Sequence, residues 1–163
     1  MNNNDILRRI RYTFNLADSK MIAIFRLAEY RVNRAQISDW LKRDDDPAYQ
    51  ECNDMDLAAF LNGLINEKRG KKEGVQAKPE KRLNNNIILR KLKIALNMKD
   101  DDILEILSLA NLPMSKSELS AFFRKPDHKN YRSCKDQILR NFLKGLQLKH
   151  RIDPPPTAEF KWK

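Results

Sequence analysis

The chain is predicted to be all-α, built from two tandem copies of a small four-helix unit. Three observations predict this. Sliding the sequence by 82 positions lays residues 2–69 on 84–151 without a gap, mostly apolar on apolar. Within each copy, apolar residues recur at the three- and four-residue spacing of an amphipathic helix. Glycine is scarce, 4 in 163 residues, and most of the 7 prolines fall in loops or the tail, a composition that disfavours an all-β fold.

The repeat is read from particular residues. Asn2-Asn3-Asn4 falls on Asn84-Asn85-Asn86, and Ile6-Leu7-Arg8 on Ile88-Leu89-Arg90. Tyr49, Cys52 and Asp54 fall on Tyr131, Cys134 and Asp136, and Phe60, Leu61, Gly63 and Leu64 on Phe142, Leu143, Gly145 and Leu146. The first helix of each copy is expected to start after an Asn cap, Asn4 or Asn86. Its buried face is Ile6, Leu7, Ile10 and Phe14, or Ile88, Leu89, Leu92 and Leu96. The second helix follows Asp18, or the run Asp100–Asp102, with acidic residues at the positive helix end. Its expected face is Ile22, Phe25 and Ala28, or Leu104, Leu107 and Ala110.

The third helix opens on a capping box, Asn33 with Gln36 or Ser115 with Glu118. It is expected to bury Ile37, Trp40 and Leu41, or Leu119, Phe122 and Phe123. The fourth carries Leu57, Phe60, Leu61 and Leu64, or Leu139, Phe142, Leu143 and Leu146, and the Asp after each Cys is placed to cap it. Gly63 and Gly145 stand mid-helix, each at a cost of about 1 kcal/mol against Ala. A cost kept twice implies that another backbone packs closely there.

The organisation that follows is a first repeat over 1–70, a basic flexible linker over 71–82, a second repeat over 83–151 and a Pro-rich disordered tail over 152–163. Phe160 and Trp162 in the tail are a candidate docking peptide, with a fraying end as the plainer reading. The repeats are structural equals but not electrostatic ones. Residues 1–70 carry 11 basic and 11 acidic side chains, residues 71–82 carry 5 and 2, and residues 83–151 carry 14 and 7. The formal charge of +10 therefore lives in the linker and the second copy, which points to an acidic partner. No apolar run approaches the ~20 residues of a membrane span, and the start of the chain does not read as a signal peptide. A cytoplasmic protein is expected.

Two segments carry functional signals. Residues 28–43 and 110–125 each read as the turn and second helix of a helix-turn-helix, with an apolar inner side and a capped start. The turn lacks the usual Gly and is one residue short, so a plain packing hairpin stays open. Arg34, Lys42, Arg43, Lys116, Arg124 and Lys125 are the candidate phosphate contacts. The second signal is the loop 124–135, which adds His128, Lys129 and Arg132 beside Tyr131. Its counterpart, 43–52, is acidic through Asp44, Asp45 and Asp46. Enzyme signals are weak: there is no phosphate-binding Gly loop, Cys-x-x-Cys or His pair. Cys134 near His128 admits a Cys–His nucleophile, but its twin Cys52 has no such His, and two buried thiols explain both. No metal or cofactor is expected.

The segments Leu83–Leu96 (LNNNIILRKLKIAL), Pro126–Arg132 (PDHKNYR) and Phe60–Gly70 (FLNGLINEKRG) resemble the YehS-like family of small bacterial cytoplasmic proteins, over residues 3–151. The resemblance implies a duplicated domain in a bacterial cytosolic protein and carries over no catalytic or binding residues. The function expected from the sequence is a non-enzymatic binding module that contacts DNA or RNA. The alternative is an adaptor whose basic surface docks an acidic protein.

Overall fold

A computed structural model describes residues 1–151 as eight helices and no strand. The first repeat contributes α1 (Asn3–Phe14), α2 (Asp18–Leu27), α3 (Arg34–Leu41) and α4 (Asp54–Arg69). The second contributes α5 (Asn85–Ala95), α6 (Asp100–Leu109), α7 (Lys116–Ala121) and α8 (Asp136–His150). The tail, with Phe160 and Trp162, lies outside the described residues.

The two copies do not fold side by side. α1 lies chiefly against α8 and α5 chiefly against α4, while α2 covers α4 and α6 covers α8. Exchanging one repeat for the other maps each of these contacts onto its counterpart, so the copies are related as the subunits of a two-fold dimer. Ile6, Leu7, Phe25 and Phe60 of the first copy and Leu89, Leu107 and Phe142 of the second belong to one core. α4 is buried almost all round from Leu57 to Leu64, because it is sandwiched between α2 and α5.

The glycines show how closely the helices approach. A methyl group on Gly63 would fall inside the carbonyl of Ile24 in α2, and one on Gly145 inside the carbonyl of Ile106 in α6. The backbone proximity implied by two mid-helix glycines is therefore present in both copies.

The three successive asparagines have three different duties. The caps are Asn2 and Asn84, whose side chains accept from Asp5 N and Ile87 N at 2.8 and 2.9 Å, not Asn4 and Asn86 as local pattern suggested. Asn3 Nδ2 donates to Cys52 O and to the Asp54 carboxylate, at 3.1 and 2.8 Å. Asn4, only 1 % exposed, donates to Trp40 O at 2.9 Å and Gln50 O at 2.8 Å and accepts from Cys52 N at 2.9 Å. Asn86 repeats this with Phe122 O, Arg132 O and Cys134 N. Three backbone groups, one at the end of α3 and two in the connection that follows, are satisfied by one amide.

Other expectations shift by small amounts. Phe25 and Ala28, like Leu107 and Ala110, are buried as expected, but Met21 and Ile24, and Ile103 and Ile106, complete the two faces in place of Ile22 and Leu104. Ile22 and Leu104 are only half-buried, because the glycine contacts turn Ile24 and Ile106 inward. Leu41 and Phe123 are half-buried too, and α7 stops before Phe122. Asn53, not Asp54, caps α4. Asp54 instead accepts Leu83 N at 2.8 Å across the repeat boundary, and its twin Asp136 meets the backbone nitrogen of Met1 at 3.4 Å. The linker is not a free tether. Gln76 bonds Asn66 at 3.2 Å and Lys72 O at 2.7 Å, and Glu80 pairs with Lys91 at 3.1 Å. Single polar side chains anchor it, which composition does not reveal.

Two predictions follow from these contacts. Gly63→Ala and Gly145→Ala should each destabilise the chain by about 2–3 kcal/mol despite the better helix propensity of Ala; urea midpoints unchanged from the parent would refute the close approach. Asn4→Ala and Asn86→Ala should each cost about 3 kcal/mol, for orphaned buried backbone groups. The cap changes Asn2→Ala and Asn84→Ala should cost only about 1 kcal/mol. The same denaturation series reads the ranking, and a reversed order would overturn the assignment.

Candidate functional site

The α3–α4 and α7–α8 connections have one backbone and two surfaces. In the first, Asp46 N, Tyr49 N and Gln50 N donate to Arg43 O, Asp46 O and Asp39 O. In the second, His128 N, Tyr131 N and Arg132 N donate to Lys125 O, His128 O and Ala121 O, the same three bonds 82 residues on. A side chain completes each turn. Asp46 Oδ1 accepts from Ala48 N at 2.8 Å, and at the matching position His128 Nδ1 accepts from Asn130 N at 3.0 Å. The shared pattern fixes the loop, and the remaining side chains are free to set its charge.

In the second repeat those side chains form a groove of about 640 Å³. Arg124, Lys129, Arg132 and Lys135 line it, with Ser117, Tyr131 and Ser133 between them. Asn86 holds it from beneath, because its amide bonds Arg132 O and Cys134 N at 2.8 and 2.9 Å. Among the described residues none of these four cations makes an ion pair or side-chain hydrogen bond. One carboxylate, Glu118, stands at the rim. Its bonds from Ser115 N at 3.0 Å and the Ser115 hydroxyl hold it below the usual carboxylate range, so it stays ionised and committed to the α7 cap.

The other sequence candidates are placed differently. Lys116 is exposed on α7 beside Asp101, 3.8 Å away. Lys125 is exposed outside the groove lining, and His128 serves the turn. In the first repeat the charges cancel locally: Lys42 binds Asp39 at 2.7 Å and Arg43 meets Asp45 at 3.4 Å. Arg34 is exposed at the first position of α3. The structure thus gathers Arg124, Lys129 and Arg132 and leaves Arg34, Lys42, Arg43 and Lys116 apart. Lys135 completes the groove. Its signal was positional, since it stands where the first repeat has the capping Asn53.

Cys134 is not poised as a nucleophile. Its Sγ lies 3.8 Å from Lys135 O, and His128 Nδ1 is already occupied by Asn130 N. Burial, with Asp136 nearby, pushes its thiol up to about 12, and burial also raises Cys52. Among the described residues no group of His, Cys, Asp and Glu is arranged to hold a metal, and no helix is long and apolar enough to cross a membrane.

These features define an all-helical, internally duplicated protein whose repeats share a core and differ in one loop's charge. The chain belongs to the family described as "Protein of unknown function (DUF1456)", whose model matches residues 3–70 and 85–151. It is similar to "Uncharacterized protein YehS" of Escherichia coli (strain K12), with 46% identity over 153 residues, covering 93% of this chain and 98% of that protein. No solved structure matches.

Both thiols should resist alkylation in the folded chain. At pH 8 a thiol raised to about 12 by burial stays protonated, and the thiolate is the form that alkylates. Iodoacetamide labelling followed by mass spectrometry should show modification only after denaturation; fast labelling of the native chain would contradict the burial.

Proposed function

We propose that the protein is a non-enzymatic nucleic-acid-binding module that grips phosphates with the groove of its second repeat. One observation carries this reading: two loops with the same backbone bonds bear opposite charge, and the four cations of the second make no ion pair among the described residues, with one carboxylate, Glu118, in the groove lining. Packing requires no such difference. The α2–α3 and α6–α7 hairpins keep a helix-turn-helix-like order, but α7 has 6 residues, less than two turns. It is too short to carry a row of base-reading side chains. The cations sit in the loop behind it, so contact is to backbone phosphates, which position a protein without reading sequence. Tyr131 in the groove offers a ring to an unstacked base.

Fluorescence anisotropy with labelled duplex and single-stranded DNA and RNA, at salt from about 50 to 200 mM, tests it. Four engaged cations give a log–log salt slope of about −3 to −4 on duplex. The variant R124A/K129A/R132A/K135A should flatten that slope and lose affinity at least tenfold, while R34A/R43A should bind as the parent does. Absence of binding at the lowest salt, or equal loss in both variants, overturns the proposal. A lysate partner that survives nuclease treatment and depends on the same four residues would favour an acidic protein instead.

A further inference from the structure

The first repeat carries a cleft of about 780 Å³ where α2 turns into α3, lined by Ile22, Arg26, Tyr30, Arg31, Val32 and Lys71 among others. We propose that it binds a small organic anion, a carboxylate or phosphate monoester on an apolar body. The site is separate from the cationic groove.

The walls divide into two kinds. Ile22, Val32 and Tyr30 are half-buried and offer an apolar bed. The Tyr30 ring is fixed, because its hydroxyl donates to Asp56 at 2.6 Å and its face stacks on Phe25 with centroids 6.0 Å apart. The side-chain oxygens of Asn33 and Gln36 accept each other's backbone N–H in the α3 capping box, which leaves their amide NH2 groups as neutral donors in the lining. One carboxylate, Glu29, also lines the cleft, and Lys71 pairs with it at 3.4 Å. The unpaired charges of the lining are two guanidinium groups, Arg26 and Arg31, neither of which makes an ion pair or side-chain hydrogen bond among the described residues. Guanidinium forks match carboxylate and phosphate oxygens in pairs, and the volume is that of a small-molecule site.

The second repeat argues that packing does not require these residues. It has Ser108 and Pro113 in place of Arg26 and Arg31. Left-handed backbone also marks the site. Asn15, Asn97 and Asn111 adopt it after α1, α5 and α6, and Asn tolerates it, whereas after α2 the position is held by Glu29 at φ 57. A residue poorly suited to the turn supplies the carboxylate that positions Lys71 over the cleft.

Backbone-amide NMR titration of the full chain with 1-naphthyl phosphate and 1-naphthoate tests this. Saturable shifts are expected at residues 26–33 and 71. Neutral 1-naphthol and inorganic phosphate alone should each bind at least tenfold more weakly. Arg26→Gln with Arg31→Gln, both exposed and so safe for folding, should weaken the anionic probes at least tenfold, while the second-repeat variant R124A/K129A/R132A/K135A should leave them unchanged. No saturable shift, shifts centred elsewhere, inorganic phosphate or naphthol binding as well as the conjugates, or an unaffected arginine variant would each overturn the site.

Discussion

One buried amide in each repeat decides where the connecting loop goes. Between the third and fourth helices the chain must cross the end of the first helix, and this stretch has backbone groups that no helix satisfies. Buried and unpaired, each would cost about 1–3 kcal/mol. Asn4 and Asn86 meet two carbonyls and one N–H apiece. That fixes the start of α1 against the end of α3, and the start of α5 against the end of α7. Since Asn86 reaches the backbone of Arg132 and Cys134, the same amide that completes the core also sets the floor of the cationic groove.

The exchange between repeats follows from the lengths of apolar surface involved. α4 is apolar over more than half its circumference and needs cover on two sides. Its own α2 supplies one, down to backbone contact at Gly63. The other is supplied by α5 of the second copy, joined by the bond from Lys91 Nζ to Asn62 at 2.6 Å. The reciprocal pair, α1 on α8, is fastened by Arg151, whose guanidinium lies 3.9 Å from the Tyr12 ring centre and donates to Tyr12 O. Neither repeat closes its core alone. The linker therefore has to hold a defined path rather than let the halves drift, which is why Gln76 and Glu80 tie it down.

Much of this was legible in the chain itself. Helix number, capping boxes, the fourth-helix core and the purpose of Gly63 and Gly145 all rest on local physics repeated at a fixed offset. What was not legible depended on choosing between locally equal candidates. Any of three adjacent asparagines satisfies a capping rule, and only the position of the α3–α4 loop tells Asn2 from Asn4. Met21 and Ile22 are both apolar, so periodicity leaves the face of α2 uncertain by one residue. In the candidate site, the basic loop was visible as composition. That Lys42 and Arg43 are neutralised by Asp39 and Asp45, while Arg124 and Lys129 stand alone, required the geometry.

Duplication explains how one molecule holds both an acidic and a basic version of the same loop. The turn needs an acceptor for one backbone N–H. The first repeat uses a carboxylate, Asp46, which adds negative charge; the second uses an imidazole nitrogen, His128, which adds none when neutral. The substitution keeps the bond and removes the charge, so the turn survives while the surface changes sign. Asp44 against Pro126 and Gln50 against Arg132 push in the same direction without touching the three shared backbone bonds. A surface altered this far, over a backbone altered this little, is not accounted for by folding.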